Sequence, residues 1–219
     1  MRAAIFDLDG TLVDSTEDIV SCFAEALVAD GRPAPGLEAV RPLVGRPLTE
    51  MFAAFAPPER VPGLVAAYRL AYWERCIDLT RPYPGAISLL DRLRDAGWAL
   101  AVATNKRDDI ARRVVAGLGL DQWITWVQGT EGIATKPAPD VVEEALARVG
   151  VPATSASWMV GDTVDDVMAG RSAGLSTAAV TTGSGSAEAL AAAAPDAMVA
   201  DLADLAGALL RGEAPEQEG

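Results

Sequence analysis

Hydrophobic positions follow two different spacings along this chain. An apolar run near the N-terminus, residues 2–8, has the length and composition of a buried strand. In the next stretch, apolar residues recur every three or four positions, as Ile19, Phe23 and Leu27 do. We find only this helical spacing over residues 16–78, which therefore predicts a set of amphipathic helices without strands.

The second part of the chain alternates between short apolar runs and helical spacings. The runs predicted as strands are residues 98–103, 124–127, 157–160, 176–180 and 197–199. Strands that alternate with helices in this way form parallel sheets with helices on both faces. The predicted fold class is therefore α/β: a doubly wound parallel sheet, or Rossmann-like core, with an inserted all-helical cap domain.

The position of the helical stretch divides the chain into two predicted domains. Residues 1–15 and 79–219 form the core, and residues 16–78 form the cap. Both junctions of the cap lie at one place, where we expect a two-stranded hinge. The polar tail, residues 212–219, is predicted to be disordered.

Unusual polar residues follow the predicted strands. Asp7 and Asp9 end the first strand, immediately before Gly10, where the chain is expected to turn. Two carboxylates this close repel each other unless a cation or a shared proton lies between them. The carboxyl ends of parallel strands form the ligand-binding edge of such sheets. The other polar residues expected near that edge are Thr104, Asn105, Lys136, Asp162 and Asp166.

Composition and charge argue against several classes of function. With 18 basic and 31 acidic residues, the formal net charge is −13, which disfavours nucleic acid and anionic membranes as partners. The chain has no histidine, which excludes a Ser-His-Asp triad and histidine-ligated zinc. Cys22 and Cys76 are expected to be buried thiols. We find no signal peptide and no apolar run that could span a bilayer, so the expected location is cytoplasmic.

The residues at the predicted edge suit magnesium and phosphate. Three or four carboxylates supply the hard oxygen ligands that Mg²⁺ prefers, whereas Ca²⁺ requires more oxygens than this set offers. Lys136 adds a positive charge and Thr104 a hydroxyl beside backbone amides. Together with Mg²⁺ they would stabilise a phosphoryl group, and a carboxylate could attack it to form an aspartyl-phosphate.

The chain resembles the haloacid dehalogenase-like phosphohydrolases in four motifs that occur in the family's order. These motifs are Asp7-Leu8-Asp9-Gly10-Thr11, Thr104, Lys136 and Gly161-Asp162-Thr163-Val164-Asp165-Asp166. The resemblance covers nearly the whole chain and includes a helical cap inserted after the first motif. It implies an enzyme that hydrolyses phosphate esters through an aspartyl-phosphate.

The resemblance also implies roles for particular residues. It implies that Asp7 is the nucleophile and that Asp9 is the general acid that later activates water. Thr104 and Lys136 would stabilise the phosphate. The Mg²⁺ ligands would be Asp7, the backbone carbonyl of Asp9 and Asp162, with Asp166 acting through water or from just outside the ligand set. The residues expected to bind substrate are Gly10, Thr11, Asn105 and Arg46.

Simpler explanations of these residues stay open from the sequence. Thr104 and Asp162 could cap helices, and Asp166 could be an ordinary acid of a first helical turn. Arg46 could bind a substrate carboxylate or be an exposed arginine at a helix start, and Lys106 could equally be functional or merely exposed.

The absence of some residues narrows the choice within the family. Dehalogenases lack an acid at the position of Asp9, and phosphonoacetaldehyde hydrolases need a lysine in the cap, where residues 16–78 have none. Mutases similar to β-phosphoglucomutase normally have a hinge histidine and a cap lysine, and both are absent. Thr104-Asn105-Lys106 and Pro82-Tyr83-Pro84-Gly85 resemble phosphoglycolate phosphatases and a related pyrophosphatase branch.

The expected activity is therefore that of a Mg²⁺-dependent phosphatase acting on a small phosphorylated metabolite. Phosphoglycolate is the best single candidate. The alternatives are a pyrophosphatase, a sugar-phosphate phosphatase, a mutase of the β-phosphoglucomutase type, and a protein that binds phosphate without catalysis. The expected assembly is a monomer or a homodimer.

Overall fold

The computed structural model describes residues 1–211 and contains a six-stranded sheet in which every neighbouring pair of strands is parallel. The strand order is β5-β4-β1-β6-β7-β8. The strands are β1 (Ala3–Phe6), β4 (Ala99–Ala103), β5 (Trp126–Gln128), β6 (Trp158–Gly161), β7 (Ser176–Val180) and β8 (Ala197–Val199). This topology confirms the predicted α/β fold class.

Strand β1 lies at the centre of the sheet and is covered on both faces. Ile5 is level with Ala101 of β4 and with Met159 of β6. All four residues of β1 are fully buried, which explains why the strand is apolar without alternation. Its carboxyl end therefore lies in the middle of the ligand-binding edge.

Helices cover the two faces of the sheet. Those of the second part of the chain are α5 (Ala86–Asp95), α6 (Asp108–Gly117), α7 (Asp140–Val149), α8 (Val164–Ser172), α9 (Ala187–Ala192) and α10 (Leu202–Arg211). Ala4 and Phe6 share an apolar cluster with residues of α5, α6 and α10. Ala3 and Ile5 pack instead with residues of α7 and α8. The alternation of side chains along β1 thus separates the two layers.

The predicted helical stretch is inserted between two short strands, β2 (Val13–Asp14) and β3 (Arg81–Pro82), which pair antiparallel. Its helices are α1 (Thr16–Ala29), α2 (Leu37–Val40), α3 (Leu48–Ala53) and α4 (Val61–Arg75). We call residues 16–78 the helical insertion. The rings of Phe23 and Phe52 stack at 4.2 Å within it. Its apolar residues join the cluster of one sheet face, so the division into two domains stays a prediction.

The structure corrects one predicted strand boundary and shows where two residues lie beside helices. Strand β5 begins at Trp126, two residues after the predicted start, because Ile124 belongs to a turn in which its N–H donates to Leu120. Ser15 flanks α1 but does not cap it through its side chain. Lys136 lies in the turn before α7, which begins only at Asp140.

Other expectations concern the thiols, the tail and the membrane. Cys22 and Cys76 are buried free thiols, as expected. The predicted disorder of residues 212–219 lies outside the described residues. Within residues 1–211, none of the helices combines the length and the apolar character that crossing a bilayer requires.

Candidate active site

Asp7 lies at the end of the central strand and is mostly buried, with 7% of its surface exposed. Its N–H still donates to Val160 of the neighbouring strand β6, at 2.8 Å. The chain turns at Gly10, which has a φ of +87°. A Cβ atom at Gly10 would lie 2.5 Å from Oδ2 of Asp162, so only glycine allows this turn so close to that acid.

Lys136 joins two of the predicted acids. Its Nζ lies 2.7 Å from Oδ1 of Asp7 and 2.6 Å from Oδ1 of Asp166, and it also donates to the Ala103 carbonyl at 2.9 Å. The side chain is 3% exposed. Burial lowers the pKa of Lys136, but the charges of Asp166 and Asp7 outweigh burial and raise the pKa overall. The ammonium is therefore permanently charged at the floor of the site.

Asn105 holds Lys136 in position through the backbone. The Asn105 Oδ1 accepts a 2.8 Å hydrogen bond from the Lys136 N–H, and its Nδ2 donates to the Lys136 carbonyl at 3.2 Å. Asn105 follows β4, so this pair of hydrogen bonds ties the loop before α7 to the strand edge. The predicted substrate-binding residue thus has a positioning contact in the structure.

Asp162 follows β6 and is held by two loops. Its Oδ1 accepts a 2.9 Å hydrogen bond from the Thr11 hydroxyl, and its Oδ2 accepts one of 2.9 Å from the Ser184 N–H. A Cβ at Gly183 would lie 2.0 Å from that same Oδ2. The loop after β7 therefore wraps closely around this carboxylate.

Asp166 lies in the first turn of α8 and has two sets of contacts. Its Oδ2 accepts hydrogen bonds from the N–H and the hydroxyl of Thr163, at 2.9 and 2.6 Å. The Asp166 N–H donates in return to the Thr163 side-chain oxygen, which completes a capping box. Its Oδ1 receives Lys136. Asp166 is therefore an acid of a first helical turn, as its simpler explanation has it, and also contacts the lysine that holds Asp7.

Three of the predicted acids form a buried cluster. Oxygen atoms of Asp7, Asp162 and Asp166 lie within 4.8 Å of one another. Burial raises the pKa of Asp7 to about 6, against the lowering effect of Lys136. Burial and the charges of Asp166 and Asp7 raise the pKa of Asp162 to about 7. Lys136 contacts only two of these three acids, so the cluster has more negative than positive charge when its carboxylates are ionised. A divalent cation bound between the carboxylates would balance this charge.

A cavity of about 460 Å³ opens above this cluster, between the strand edge and the helical insertion. Asp7, Asp9, Thr104 and Lys136 line its floor. The insertion supplies mainly apolar and aromatic walls, from Ile19, Met51, Val65, Tyr68 and Tyr72. The lining of the cavity therefore combines charged residues with apolar and aromatic ones.

Asp9 contacts Lys106 and Ser15 and is not one of the three clustered acids. Its Oδ2 lies 2.8 Å from Nζ of Lys106, and its Oδ1 accepts a hydrogen bond from the Ser15 hydroxyl. Lys106 also donates to the Tyr72 hydroxyl, at 2.8 Å. The side chain of Asp9 is thus held between the hinge and the loop after β4.

The structure brings most of the predicted site residues together, with two exceptions. Arg46 and Asn105 line the cavity, and Asp162 and Asp166 lie outside its lining but cluster with Asp7. The two exceptions are Gly10 and Thr11, which belong neither to the lining of the cavity nor to the cluster. Thr11 is fully buried and its hydroxyl is directed to Asp162, so it orients an acid instead of facing a ligand in the cavity. The backbone of Gly10 faces the same acid.

Sequence reasoning missed the contribution of the loop after β7. Ser184 contacts both Asp162 and, through its hydroxyl, the carbonyl of Val44 in the helical insertion at 3.2 Å. The available signal was the small-residue run Thr182-Gly183-Ser184-Gly185 directly after a strand. Such runs permit close approach of the backbone to another group.

Comparison with known proteins agrees with the fold. Residues 4–180 match the family model described as haloacid dehalogenase-like hydrolase. This chain therefore belongs to the haloacid dehalogenase-like hydrolase family. The resemblance predicted from the four motifs is confirmed, and so is the prediction that the chain is an enzyme.

The names of similar proteins differ in the activity that they state. A protein of Bacillus velezensis named pyrophosphatase PpaX is 34% identical over 209 residues, which cover 94% of this chain and 94% of that protein. A phosphoglycolate phosphatase of Caulobacter vibrioides is 35% identical over 178 residues, which cover 78% of this chain and 75% of that protein. A haloacid dehalogenase-like family hydrolase from Streptococcus pneumoniae has a TM-score of 0.87 at 27% identity, covering 94% of this chain and 97% of the other.

Proposed function

We propose that this protein is a Mg²⁺-dependent phosphatase that hydrolyses a small phosphorylated metabolite through an aspartyl-phosphate on Asp7. The observation that carries the proposal is the 2.7 Å contact between Nζ of Lys136 and Oδ1 of Asp7, on the floor of the cavity and beside two further buried acids. The phosphatases among its relatives support it. The proposed location is the cytoplasm.

Asp7 has the environment that a nucleophilic carboxylate needs. Lys136 holds Oδ1 and favours the ionised form, while no donor within residues 1–211 contacts Oδ2. In the proposed first step, Oδ2 attacks phosphorus, the new bond to Asp7 forms, and the bond from phosphorus to the ester oxygen breaks. The carboxylate thereby becomes an acyl phosphate.

Lys136 and Thr104 are proposed to bind the phosphoryl oxygens. The Thr104 side-chain oxygen accepts a 3.2 Å hydrogen bond from the Lys106 N–H, which leaves its own O–H to donate towards the cavity. Donors fixed before the reaction stabilise the negative charge that develops in the transition state. The rigid attachment of Lys136 through Asn105 serves the same purpose.

Asp7, Asp162 and the backbone carbonyl of Asp9 are the residues that would hold Mg²⁺, with Asp166 adjacent. The buried, mutually repelling acids fit such an ion. When bound, the ion supplies positive charge beside the phosphoryl oxygens.

Asp9 is proposed to move the protons. It gives a proton to the leaving oxygen in the first step and takes one from water in the second, when water attacks phosphorus and releases phosphate from Asp7. The helical insertion is proposed to act as a lid that pivots at β2 and β3 and excludes bulk water in the first step.

Phosphate release from a panel of metabolites tests the proposal. We propose phosphoglycolate as the first substrate, and pyrophosphate and sugar phosphates complete the panel. Asp7→Asn should abolish turnover, while Glu17→Gln, at an exposed acid of the first turn of α1, should leave it within about threefold of the wild type, as expected for a surface change. Full activity of Asp7→Asn would reject Asp7 as nucleophile. Slow hydrolysis that needs a bisphosphate primer would indicate a mutase instead.

A further inference from the structure

Lys106 has no part in the reaction proposed above, yet it lines the same cavity. Its Nζ lies 2.8 Å from Oδ2 of Asp9 and donates a 2.8 Å hydrogen bond to the Tyr72 hydroxyl. The ammonium also lies 4.6 Å from the centre of the Tyr72 ring. With 9% of its side chain exposed, this charge is held in place by groups from both sides of the cavity.

The ammonium group of Lys106 retains binding capacity. It carries three N–H donors, and Asp9 and Tyr72 account for two of them. No other acceptor within residues 1–211 contacts its Nζ. The third donor is therefore available to a molecule in the cavity.

The arginines that line the cavity are less suited than Lys106 to binding an anionic group of a small ligand. Arg46 and Arg69 line the cavity but are exposed to solvent, and water weakens their attraction for an anion. Arg107 already pairs with Asp109 and Glu131. Lys106 is the cavity-lining cation that is both largely withdrawn from water and adjacent to Asp9.

The position of Lys106 also determines which part of a substrate would bind to its ammonium group. Asp9 is proposed to protonate the leaving oxygen, and Lys106 touches the carboxylate of Asp9. A group bound to Lys106 therefore lies close to that oxygen. The apolar side chains of Met51 and Val65, which also line the cavity, offer little stabilisation to a charge placed against them.

We propose that Lys106 determines specificity by binding a second negative charge on the leaving group, beside the oxygen that is cleaved from phosphorus. The inference rests on the proposed phosphatase function and adds the substrate class. That class consists of phosphate esters and anhydrides whose leaving group carries a carboxylate or a phosphate next to the scissile oxygen. Phosphoglycolate and pyrophosphate both belong to it.

A pair of esters tests the assignment. Phosphoglycolate carries a carboxylate where ethyl phosphate carries a methyl group, so the ratio of their kcat/KM values measures recognition of the charge. Effects of a mutation on chemistry common to both esters cancel in this ratio, as in a double-mutant cycle. In Lys106→Met we expect the ratio to fall by about tenfold or more, the loss typical of a charge-assisted hydrogen bond. Lys106→Gln serves as a second variant with the same expectation.

Two further variants separate the alternatives. Arg148→Met removes an exposed charge on α7, outside the cavity, and should leave the ratio unchanged. Lys106→Arg keeps the charge and should retain a larger part of the ratio than Lys106→Met. A fall of the ratio in Arg46→Met, with no fall in Lys106→Met, would give the role to Arg46 and overturn the assignment.

The outcomes for this inference and for the proposed function differ. If the wild type releases phosphate from neither ester, nor from pyrophosphate, sugar phosphates or p-nitrophenyl phosphate, the phosphatase function fails and this inference fails with it. If it hydrolyses p-nitrophenyl phosphate but prefers ethyl phosphate to phosphoglycolate, only the inference fails. An unchanged ratio in Lys106→Met and Lys106→Gln, with normal thermal unfolding of both variants, would also overturn the inference and leave the phosphatase function standing.

Discussion

The carboxylate of Asp18 joins the two ends of the helical insertion through Thr80. Asp18 lies in the first turn of α1, and its Oδ2 accepts hydrogen bonds from the N–H of Thr80 at 2.8 Å and from its hydroxyl at 2.7 Å. The Leu79 N–H donates to the same oxygen at 3.0 Å. Asp18 and Thr80 are both buried. The junction lies next to the β2–β3 pair that is proposed as the hinge.

Asp18→Ala should destabilise the protein by about 2–4 kcal/mol, because buried donors lose their charged acceptor. Chemical denaturation followed by circular dichroism measures the change. Glu17→Ala is the matched control, since Glu17 lies in the same helical turn but is exposed. It should change the stability by less than about 0.5 kcal/mol. Similar losses in both variants would show that the helix dipole, and not the contact with Thr80, is responsible.

Lys136→Met should lower the stability by about 3–5 kcal/mol when EDTA is present, because Asp7 and Asp166 lose their buried counter-charge. Added Mg²⁺ should restore part of this loss and raise the Tm of the variant more than that of the wild type. Arg148→Met, which removes an exposed cation from α7, should respond to Mg²⁺ as the wild type does. An unchanged Tm of Lys136→Met in EDTA would contradict the structural role of this lysine.

Gly10→Ala tests the close approach of the first loop to Asp162. Both Gly10 and Gly31 have positive φ angles, +87° and +77°, but a Cβ at Gly31 would meet nothing within 4 Å. Gly31→Ala should therefore cost only the backbone strain, about 1–2 kcal/mol. Gly10→Ala should cost more and should also weaken Mg²⁺ binding, because the new methyl group displaces Asp162. Isothermal titration with Mg²⁺ and thermal unfolding give the two measurements, and equal effects of both variants would refute the explanation.

The stability of the metal-free protein should fall as the pH rises from 5 to 8. In the folded protein, burial raises the pKa of Asp7 to about 6 and that of Asp162 to about 7, from an ordinary value of 3.8. At pH values between the ordinary pKa and the raised pKa of each group, the folded state holds protons that the unfolded chain has lost. Raising the pH therefore favours unfolding. Thermal unfolding in EDTA across this range provides the measurement.

Two additions check the origin of this pH dependence. Mg²⁺ should stabilise the protein more at pH 8 than at pH 5, because it competes with protons for the same carboxylates. Asp162→Asn should flatten the pH dependence measured in EDTA. A stability that rises with pH in the absence of metal would contradict the raised pKa values.

The main elements of the fold were predictable because their signals are local. The apolar run at the N-terminus and the spacing of Ile19, Phe23 and Leu27 depend only on neighbours in the chain. The structure contains both elements, although the strand covers Ala3–Phe6 and not the whole of the predicted residues 2–8. The turn residue Ile124 was assigned to a strand, because an apolar residue in a tight turn has the same local pattern. Boundaries of this kind depend on hydrogen bonds that the pattern does not contain.

The candidate site was predictable as a set of residues but not as a set of contacts. Asp7, Lys136 and Asp162 were identified because carboxylates and a rare lysine follow strands in the order typical of the family. The sequence did not distinguish a functional Lys106 from an exposed one, and it assigned Thr11 to the substrate. In the structure Lys106 contacts Asp9 and Tyr72, and Thr11 contacts Asp162.

By itself, the sequence determined the fold class, the helical insertion and the chemistry available at the edge of the sheet, since each follows from residue types and their short-range spacing. Only the tertiary structure decided which side chains contact one another. Thr11 and Asp162 are 151 residues apart along the chain, and Lys106 and Tyr72 are 34 apart. Such pairs form because the packing of the sheet and of the helical insertion brings distant loops together, and that packing is a property of the whole chain.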